Sequence, residues 1–265
     1  MAGSASISWG AVVIDTDAQT FLTAASITDV TITNAINFIV TQAKVNGWWS
    51  ACKVIYPFVG GTSTTHAINL KTPGTFNLTF TGVTHTSNGA AGNGSTDWAD
   101  TGFNPNTGLT LSSGHLSYYS RTSTNQSETE MGVDNSGSNG FLLRCYFNGL
   151  GISTDMYNSV GQRISYNTNT MLSLGYTMAS RTANNDLRLY KNGTQVGTTN
   201  STVNANAPQS INIYMFALNA AGTPSQNSGR QCAFATIGDG ISPSIALLMY
   251  QDIQDFQTIL GRQVY

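Results

Sequence analysis

The feature that most limits the fold of this chain is a series of short apolar runs between Trp48 and Ile241. Each run is rich in Val, Ile, Phe and Tyr, and residues such as Gly, Asn, Ser and Thr separate it from the next. The runs are CKVIYPFV, FNLTFTG, LSYYSRT, FLLRCYF, LRLYKNG, INIYMFAL and CAFATIG. Runs of this length and composition predict β-strands, and regularly spaced turn signals favour an antiparallel sandwich over an α/β sheet.

The segment DLRLYKNGTQVGTT gives the sharpest local prediction. Its centre, Asn192-Gly193, is a pair favoured in two-residue type I′ turns, because both positions need a positive φ. The residues on each side alternate between apolar and polar. The sequence therefore predicts a β-hairpin centred on this pair.

Helical patterns precede the strand region. Asp15 and Asp17 offer N-caps for AQTFLTAAS, and Thr31 offers one for a second helix that Asn46-Gly47 ends. The apolar stripe of the second helix comprises Ile32, Ala35, Ile36, Ile39, Val40 and Ala43. A stripe at this spacing needs an apolar surface, so we expect these helices to pack on the sandwich.

A third helical pattern follows the strands. Ser242 can cap it, Pro243 takes its first position, and Gly261 ends it. Its apolar stripe comprises Ile245, Leu248, Met249, Ile253, Phe256 and Leu260. The stripe lacks a sustained heptad, which favours packing on the sandwich over a protruding oligomerisation helix.

The length of 265 residues fits a single domain of the sandwich class. We expect residues 1–14 to form an opening strand or a docking arm, and residues 15–265 to form one domain. Within that domain we assign helices to 15–47, the sandwich to 48–241 and the C-terminal helix to 242–261.

Charged residues are scarce, at 9% of the chain, and the formal net charge is −2. Ser, Thr, Asn, Gln and Gly must therefore cover much of the surface. The 11 Lys and Arg residues are scattered, which leaves no electrostatic basis for binding nucleic acid. No apolar run reaches the ~20 residues of a membrane span, and the N-terminal stretch lacks the positive region of a Sec signal peptide.

Neither the cysteines nor the histidines form a metal-binding motif. The cysteines are Cys52, Cys145 and Cys232. They lie in apolar runs without a CxxC pair, which predicts small buried side chains rather than a zinc or redox site. The histidines are His66, His85 and His115. They are far apart and have no HExxH pattern, so we expect ordinary polar or half-buried side chains.

Four stretches, taken in order, resemble a family of laminin-G-like proteins of tailed bacteriophages. They are IYPFVGGT (55–62), HLSYYSRT (115–122), CAFATIGDG (232–240) and FQTILGRQV (256–264). The resemblance extends over residues 17–264. It implies a mainly β fold, a concanavalin A-like antiparallel β-sandwich or jelly roll, with two short N-terminal helices and one C-terminal helix.

The same resemblance implies a non-enzymatic structural protein on the surface of a virion, in a tail fibre or a capsid decoration. The expected partners are other virion proteins and host or mucosal glycans on cell surfaces. A homo-oligomer would fit a fibre. Release by lysis would also fit the missing Sec signal.

Glu128 and Glu130, in NQSETE, are the only glutamates of the chain. In a strand they would share one face about 7 Å apart, and retaining glycosidases use carboxyl groups about 5 Å apart. The alternative function is therefore a polysaccharide hydrolase or lyase that uses both. Concanavalin A-like hydrolases share the motif E-x-D-x-x-E or E-x-D-x-E, which this stretch does not complete. The polar setting favours a solvated strand end.

The stretch STDWADTGFNPN supplies Asp97, Asp100 and Asn104. Laminin-G-like domains often hold Ca²⁺ at the rim of the sandwich through such oxygen ligands, which suit a hard cation. The stretch has no EF-hand-like spacing, and Asp and Asn also form turns without any metal. Turn formation is the favoured interpretation, with Ca²⁺ as the candidate cofactor.

Aromatic side chains are the candidates for glycan binding, because sugar rings stack on Trp and Tyr faces. Trp98 lies in a polar loop and is the preferred exposed ring. Tyr118 and Tyr119 are neighbours in a predicted strand, so one should face the core and the other outward. Tyr157 and Tyr166 flank another loop. The competing interpretation for all of these rings is core packing.

Overall fold

The computed structural model describes residues 13–134, 139–159, 162–167, 173–198, 206–208 and 210–265. Within these residues the fold is mainly β: two sheets pack face to face, and a layer of helices covers the outer face of one of them. The predicted β-sandwich with two N-terminal helices and one C-terminal helix is confirmed.

The elements alternate between short strands and a few helices. The helices are α1 (Thr16–Ala24), α2 (Val30–Val45), α3 (Ser63–His66), α4 (Pro105–Gly108) and α5 (Pro243–Ile259). The strands are β1 (Cys52–Tyr56), β2 (Thr79–Thr81), β3 (Thr84–Thr86), β4 (Gly89–Ala91), β5 (Trp98–Asp100), β6 (Gly114–Ser120), β7 (Met131–Asp134), β8 (Asn139–Phe147), β9 (Gly151–Ser159), β10 (Ile164–Tyr166), β11 (Gly175–Ala183), β12 (Asp186–Lys191), β13 (Thr194–Thr198), β14 (Tyr214–Met215), β15 (Leu218–Ala220), β16 (Thr223–Ser225) and β17 (Cys232–Gly238).

Sheet A has the strand order β13-β12-β11-β6-β17-β4-β3, and β1 also pairs with β17. Strand β17 is thus bonded to β6 along one edge and to β1 and β4 along the other. Sheet B has the order β10-β9-β8-β7-β14-β5-β2, and the β15–β16 hairpin joins it at β7. The pairing of β15 with β7 is parallel, whereas the other described pairings are antiparallel.

The central strands of sheet A are buried on both faces. In β6, Leu116 and Tyr118 point into the core between the sheets, and Tyr119 points into the core beneath the helices. This follows from the alternation of side chains along a strand. The central strands β6 and β17 therefore have no face exposed to solvent.

The predicted hairpin is present. Lys191 of β12 pairs with Thr194 of β13, and Asn192 and Gly193 form the turn with φ angles of 46° and 75°. Positive φ at both central positions is what a type I′ turn requires. Asn192 Oδ1 also accepts a hydrogen bond from the Tyr176 backbone N–H, which ties the turn to β11.

Side-chain caps define where the N-terminal helices begin. Asp15 accepts from the Asp17 N–H at the start of α1, as the sequence indicates. Asp29, not Thr31, caps α2 by accepting from the Ile32 N–H, so this helix begins earlier than predicted. The error arises because both residue types are good N-caps and lie only two positions apart.

A buried carboxylate links helix α5 to the residues that follow helix α2. Asp252 of α5 accepts hydrogen bonds from Asn46 Nδ2 and, at 2.7 Å, from Trp48 Nε1. Trp48 is fully buried in the core under the helices. The bonds fix α5 against the end of α2.

Two expectations concern the N-terminal part and the membrane. The predicted opening strand or arm, residues 1–14, lies almost wholly outside the described residues, and Val13 and Ile14 have no regular structure. Within the described part of the chain, no helix combines the length and apolar character that a bilayer span needs.

Candidate functional site

A groove with a volume of about 340 Å³ lies beside β5 and β14 of sheet B. We call it the β5–β14 groove. The lining residues that carry polar groups are Asp100, Asn104, Ser210, Asn212, Tyr214 and Asn219. Several polar groups converge beside an aromatic ring in this groove, and such groups can fix the orientation of a bound polar molecule.

The strand geometry explains how Trp98, Asp100 and Tyr214 come together. Ala99 points into the core between the sheets, so Trp98 and Asp100 point to the opposite, outer face of sheet B. Tyr214 pairs directly with Asp100 across the two strands. Trp98 is therefore its diagonal neighbour, and the two ring centroids lie 4.2 Å apart with planes tilted by 35°.

The aromatic pair has one covered ring and one partly open ring. Tyr214 is 8% exposed, whereas Trp98 is only half-buried. Burial, and then the Asp100 carboxylate, raise the pKa of the Tyr214 phenol. A tyrosine phenol is protonated at neutral pH in any case, so Tyr214 brings a hydrogen-bond donor to the lining of the groove.

Hydrogen bonds within the protein fix the groove side chains. Asp100 Oδ1 accepts from the Gly102 N–H at 2.8 Å, and Asp100 Oδ2 accepts a longer bond of 3.3 Å from Asn212 Nδ2. Asn104 Nδ2 donates to Ser210 Oγ at 3.0 Å. The polar groups are thus held in place before any ligand arrives.

The far wall of the groove is supported by a buried amide. Asn219 is 2% exposed, donates from Nδ2 to the Asn212 carbonyl at 2.7 Å, and accepts from the Gly222 N–H at 2.8 Å. Below it, Thr101 Oγ1 donates to the Ile213 carbonyl. Residues 210–213 are therefore attached to both the β15–β16 turn and the end of β5.

The predicted calcium ligands do not converge. Asp100 and Asn104 share the groove, but Asp97 comes before β5 and its carboxylate packs against Gly82, so its side chain has different surroundings. Among the described residues, no cluster of three or more His, Cys, Asp or Glu could hold a metal. Calcium binding by this loop stays a prediction.

Two of the predicted glycan-binding rings need correction. Tyr118 and Tyr157 are completely buried, and their hydroxyls donate to the carbonyls of Arg230 and Pro105. The expectation that one of Tyr118 and Tyr119 faces outward is wrong, because the helices cover the other face of sheet A. Of the rings proposed from the sequence, Trp98 contacts Tyr214, which lines the groove.

The glutamates are also placed differently from the prediction. Glu128 is 4% exposed and Glu130 is fully buried, so a solvated strand end is wrong. Arg230 Nη1 contacts both carboxylates, at 3.0 Å for Glu128 and 2.5 Å for Glu130. Ser228 Oγ lies 3.1 Å from an oxygen of each. Nothing in the sequence indicates this cluster, because Arg230 is 100 residues from Glu130 along the chain.

This cluster has the chemistry of an ion-pair network. Burial raises the pKa of Glu128, against the opposing effect of Arg230. Although burial alone lowers the pKa of Arg230, the two carboxylates raise it above its ordinary value. Neither glutamate lines the β5–β14 groove. One guanidinium bridging two carboxylates leaves no room between them for a sugar ring.

The structure brings together two histidines that the sequence leaves apart. His66 Nδ1 and His85 Nδ1 lie 2.9 Å apart, so one ring donates to the other. His66 is fully buried, and burial followed by the charges of His85 and Arg262 lowers its pKa to about 3. His115 lies elsewhere and bonds Thr236 and the Asp239 carbonyl.

Comparison with known proteins gives similarities at the level of structure. The chain has no significant match to a family model or to a curated protein. Domain 4 of the extracellular arabinanase AbnA from Geobacillus stearothermophilus, solved with arabinotriose, is 13% identical, with a TM-score of 0.48 over 76% of this chain and 98% of that domain.

Two further similar structures come from sialidases. The CBM40 of the Ruminococcus gnavus IT-sialidase, solved with α2,3-sialyllactose, is 15% identical, with a TM-score of 0.41 over 50% of this chain and 78% of that one. A mutant Trypanosoma rangeli sialidase with trans-sialidase activity is 14% identical, with a TM-score of 0.46 over 83% of this chain and 39% of that one. With TM-scores below 0.5, these similarities identify no site in this chain.

Proposed function

We propose that this protein is a non-enzymatic glycan-binding protein whose binding site is the β5–β14 groove. The observation that carries the proposal is the half-buried Trp98 ring, which packs against Tyr214 with the two planes tilted by 35°. Tyr214 in turn lines a groove of amides, a hydroxyl and one carboxylate. An aromatic face can stack on the apolar face of a sugar, while the polar groups bond its hydroxyls.

The absence of a catalytic role is part of this proposal. A glycosidase needs two carboxyl groups that flank the scissile bond. Glu128 and Glu130 instead share Arg230 and Ser228 inside the protein. The groove itself contains a single carboxylate, Asp100, among its lining residues. This arrangement supports binding rather than hydrolysis.

The test compares Trp98→Ala with Trp49→Ala on a panel of immobilised neutral oligosaccharides. Trp49 is a matched control because it is also half-buried but packs in the helical layer, beneath Lys71. We expect the Trp98 change to weaken binding by about tenfold or more, since stacking of an aromatic ring contributes on this scale. Wild-type protein that binds no sugar of the panel, or equal binding by both variants, would contradict the proposal.

The proposal extends to the setting of the protein. We infer a location on the surface of a bacteriophage virion, in a tail fibre or capsid decoration, with other virion proteins as partners and in a homo-oligomer. The sequence resemblance and the low content of charged residues, 9%, support it, because a weakly charged surface limits non-specific binding to charged polymers.

This location has a direct test. Mass spectrometry of purified particles should detect the chain, antibodies against it should label intact particles, and light scattering should give the mass of a multimer. Purified particles without the chain would refute the location and leave the glycan-binding proposal unaffected.

A further inference from the structure

Asp100 is the one acidic side chain among the described residues that line the β5–β14 groove, and no Lys, Arg or His lines it. Asp100 also takes part in none of the ion pairs found among the described residues. The groove therefore carries an uncompensated negative charge. Any ligand that enters it meets that charge at short range.

The two oxygens of Asp100 are occupied to different extents. Oδ1 accepts a bond of 2.8 Å from the Gly102 N–H, which holds the carboxylate in place. Oδ2 accepts one long bond of 3.3 Å, from Asn212. A carboxylate oxygen has more than one acceptor position, so Oδ2 can accept a further hydrogen bond from a ligand hydroxyl.

From this geometry we propose that Asp100 is a specificity-determining residue that selects uncharged saccharides and rejects sugars carrying a carboxylate or sulfate. A hydroxyl donating to an ionised carboxylate makes a charge-assisted bond, which is stronger than a bond between neutral groups. An acidic sugar would place a second negative charge in a half-buried groove without a cation to compensate it. This inference rests on the proposed function and adds the ligand class.

Most hydrogen bonds that hold the groove together do not depend on the charge of Asp100. Asn104 and Ser210 bond each other, and Asn219 holds the backbone of Asn212. These contacts do not involve the charge of Asp100. The change Asp100→Asn keeps an oxygen that can accept from Gly102. It removes the charge and replaces the acceptor Oδ2 by an amide nitrogen, so only the long bond from Asn212 is lost within the protein. It therefore separates selectivity from folding.

The experiment measures binding of neutral oligosaccharides and of the same oligosaccharides oxidised to uronates at C6, by calorimetry with the wild-type protein, Asp100→Asn and Asp255→Asn. Asp255 is an exposed residue of α5 and controls for the change in net charge. We expect wild type and Asp255→Asn to prefer the neutral sugar by roughly tenfold or more, and Asp100→Asn to lose most of this preference. The wild-type preference should also shrink at high salt, because Asp100 is partly exposed.

The outcomes separate this inference from the proposed function. Wild-type protein that binds both sugars equally, or a preference that Asp100→Asn leaves unchanged, would overturn the role of Asp100 while glycan binding stands. Binding that disappears with a calcium chelator would overturn it as well, because Asp100 would then act as a metal ligand. Failure of wild type to bind any neutral sugar would instead refute the proposed function.

Discussion

Arg230 and Glu128 form an ion pair of 3.0 Å between Nη1 and Oε2, and both side chains lie inside the protein. The same nitrogen also contacts Glu130. Arg230 Nη2 also donates a hydrogen bond to the Gln126 carbonyl, which holds the irregular segment before β7 in place. One cation thus contacts two carboxylates and also binds the backbone of a neighbouring segment.

Arg230→Ala should lower the free energy of unfolding by about 3–5 kcal/mol, because breaking a buried pair leaves an uncompensated charge. Urea denaturation at neutral pH measures this change. The combination of Arg230→Ala with Glu128→Gln and Glu130→Gln should recover part of the loss, since it removes the buried negative charges.

The control for this prediction is an exposed pair. Lys53 and Asp239 lie 2.7 Å apart, with side chains 38% and 39% exposed. Lys53→Ala should cost about 1 kcal/mol or less, as exposed pairs do. Equal losses for Lys53→Ala and Arg230→Ala would show that burial of the Arg230 cluster adds nothing to the energy of its ion pairs.

The His66–His85 pair predicts a pH dependence of stability. The pKa of His66 is lowered from 6.5 to about 3, first by burial. Between pH 6.5 and pH 3 the unfolded chain therefore binds a proton at His66 that the folded chain does not. The free energy of unfolding is highest above pH 6.5 with respect to this group, and it decreases as the pH falls toward 3. Wild type should lose more stability between pH 7 and pH 4 than the double variant His66→Phe, His85→Phe.

Urea denaturation of both proteins across this pH range measures the difference. His115, whose pKa is also lowered by burial, to about 4, is present in both and cancels. Parallel stability curves for the two proteins would mean that the pair does not titrate differently in the folded and unfolded chains.

The cysteines should be inert in the native protein. All three are free and buried, which confirms the sequence prediction of small buried side chains. Burial raises the pKa of Cys52 and Cys145 to about 12. Since the thiolate is the nucleophile, a disulfide reagent at mildly alkaline pH should label none of them in buffer and all of them in urea. Labelling of any cysteine in buffer at the rate seen in urea would oppose this.

Asn219→Ala should weaken sugar binding although Asn219, in the wall of the groove, is only 2% exposed. The change leaves the Asn212 carbonyl and the Gly222 N–H without their partners, at about 1–3 kcal/mol of stability for a buried group. It also releases residues 210–213 from their support. Calorimetry with the best neutral sugar should show about tenfold weaker binding, as expected when the supporting shell is lost.

Asn69→Ala is the matched control, because Asn69 is equally buried and bonds the Ile55 N–H and the Thr75 carbonyl, away from the groove. It should reduce stability to a similar extent and leave binding by the folded protein unchanged. If both variants lose the sugar equally, the effect of Asn219 is general destabilisation.

The strands that can be predicted from the sequence are those made mostly of apolar residues. Each apolar run singled out from the sequence falls on or overlaps a strand of the structure. Strands β9 and β11 escaped detection, because GISTDMYNS and GYTMASRTA read as polar. In β9, polar side chains are buried with partners outside the strand: Thr154 donates to the Leu142 carbonyl of β8, and Asp155 pairs with Arg163. Local composition carries no record of such partners.

The same limit applies to the site. Trp98, Asp100 and Asn104 lie within seven consecutive residues, so a sequence can single them out together. Asn212 and Tyr214 reach them only because β14 pairs with β5. The glutamates show the opposite failure: their polar stretch predicts exposure, whereas the contacts with Arg230 allow both side chains to be buried. Pairing across a hundred residues is the information that the sequence alone lacks.

The position of β17 has a consequence for synthesis. Residues 232–238 lie between β6 on one side and β1 and β4 on the other, so the earlier strands are joined through a late one. A nascent chain that has released β1, β4 and β6 from the ribosome holds open strand edges until β17 arrives, and open edges invite pairing with other chains. The sheet closes only after these long-range contacts form. The yield of folded protein in a cell should therefore depend on factors, such as chaperones, that cover the open strand edges until then.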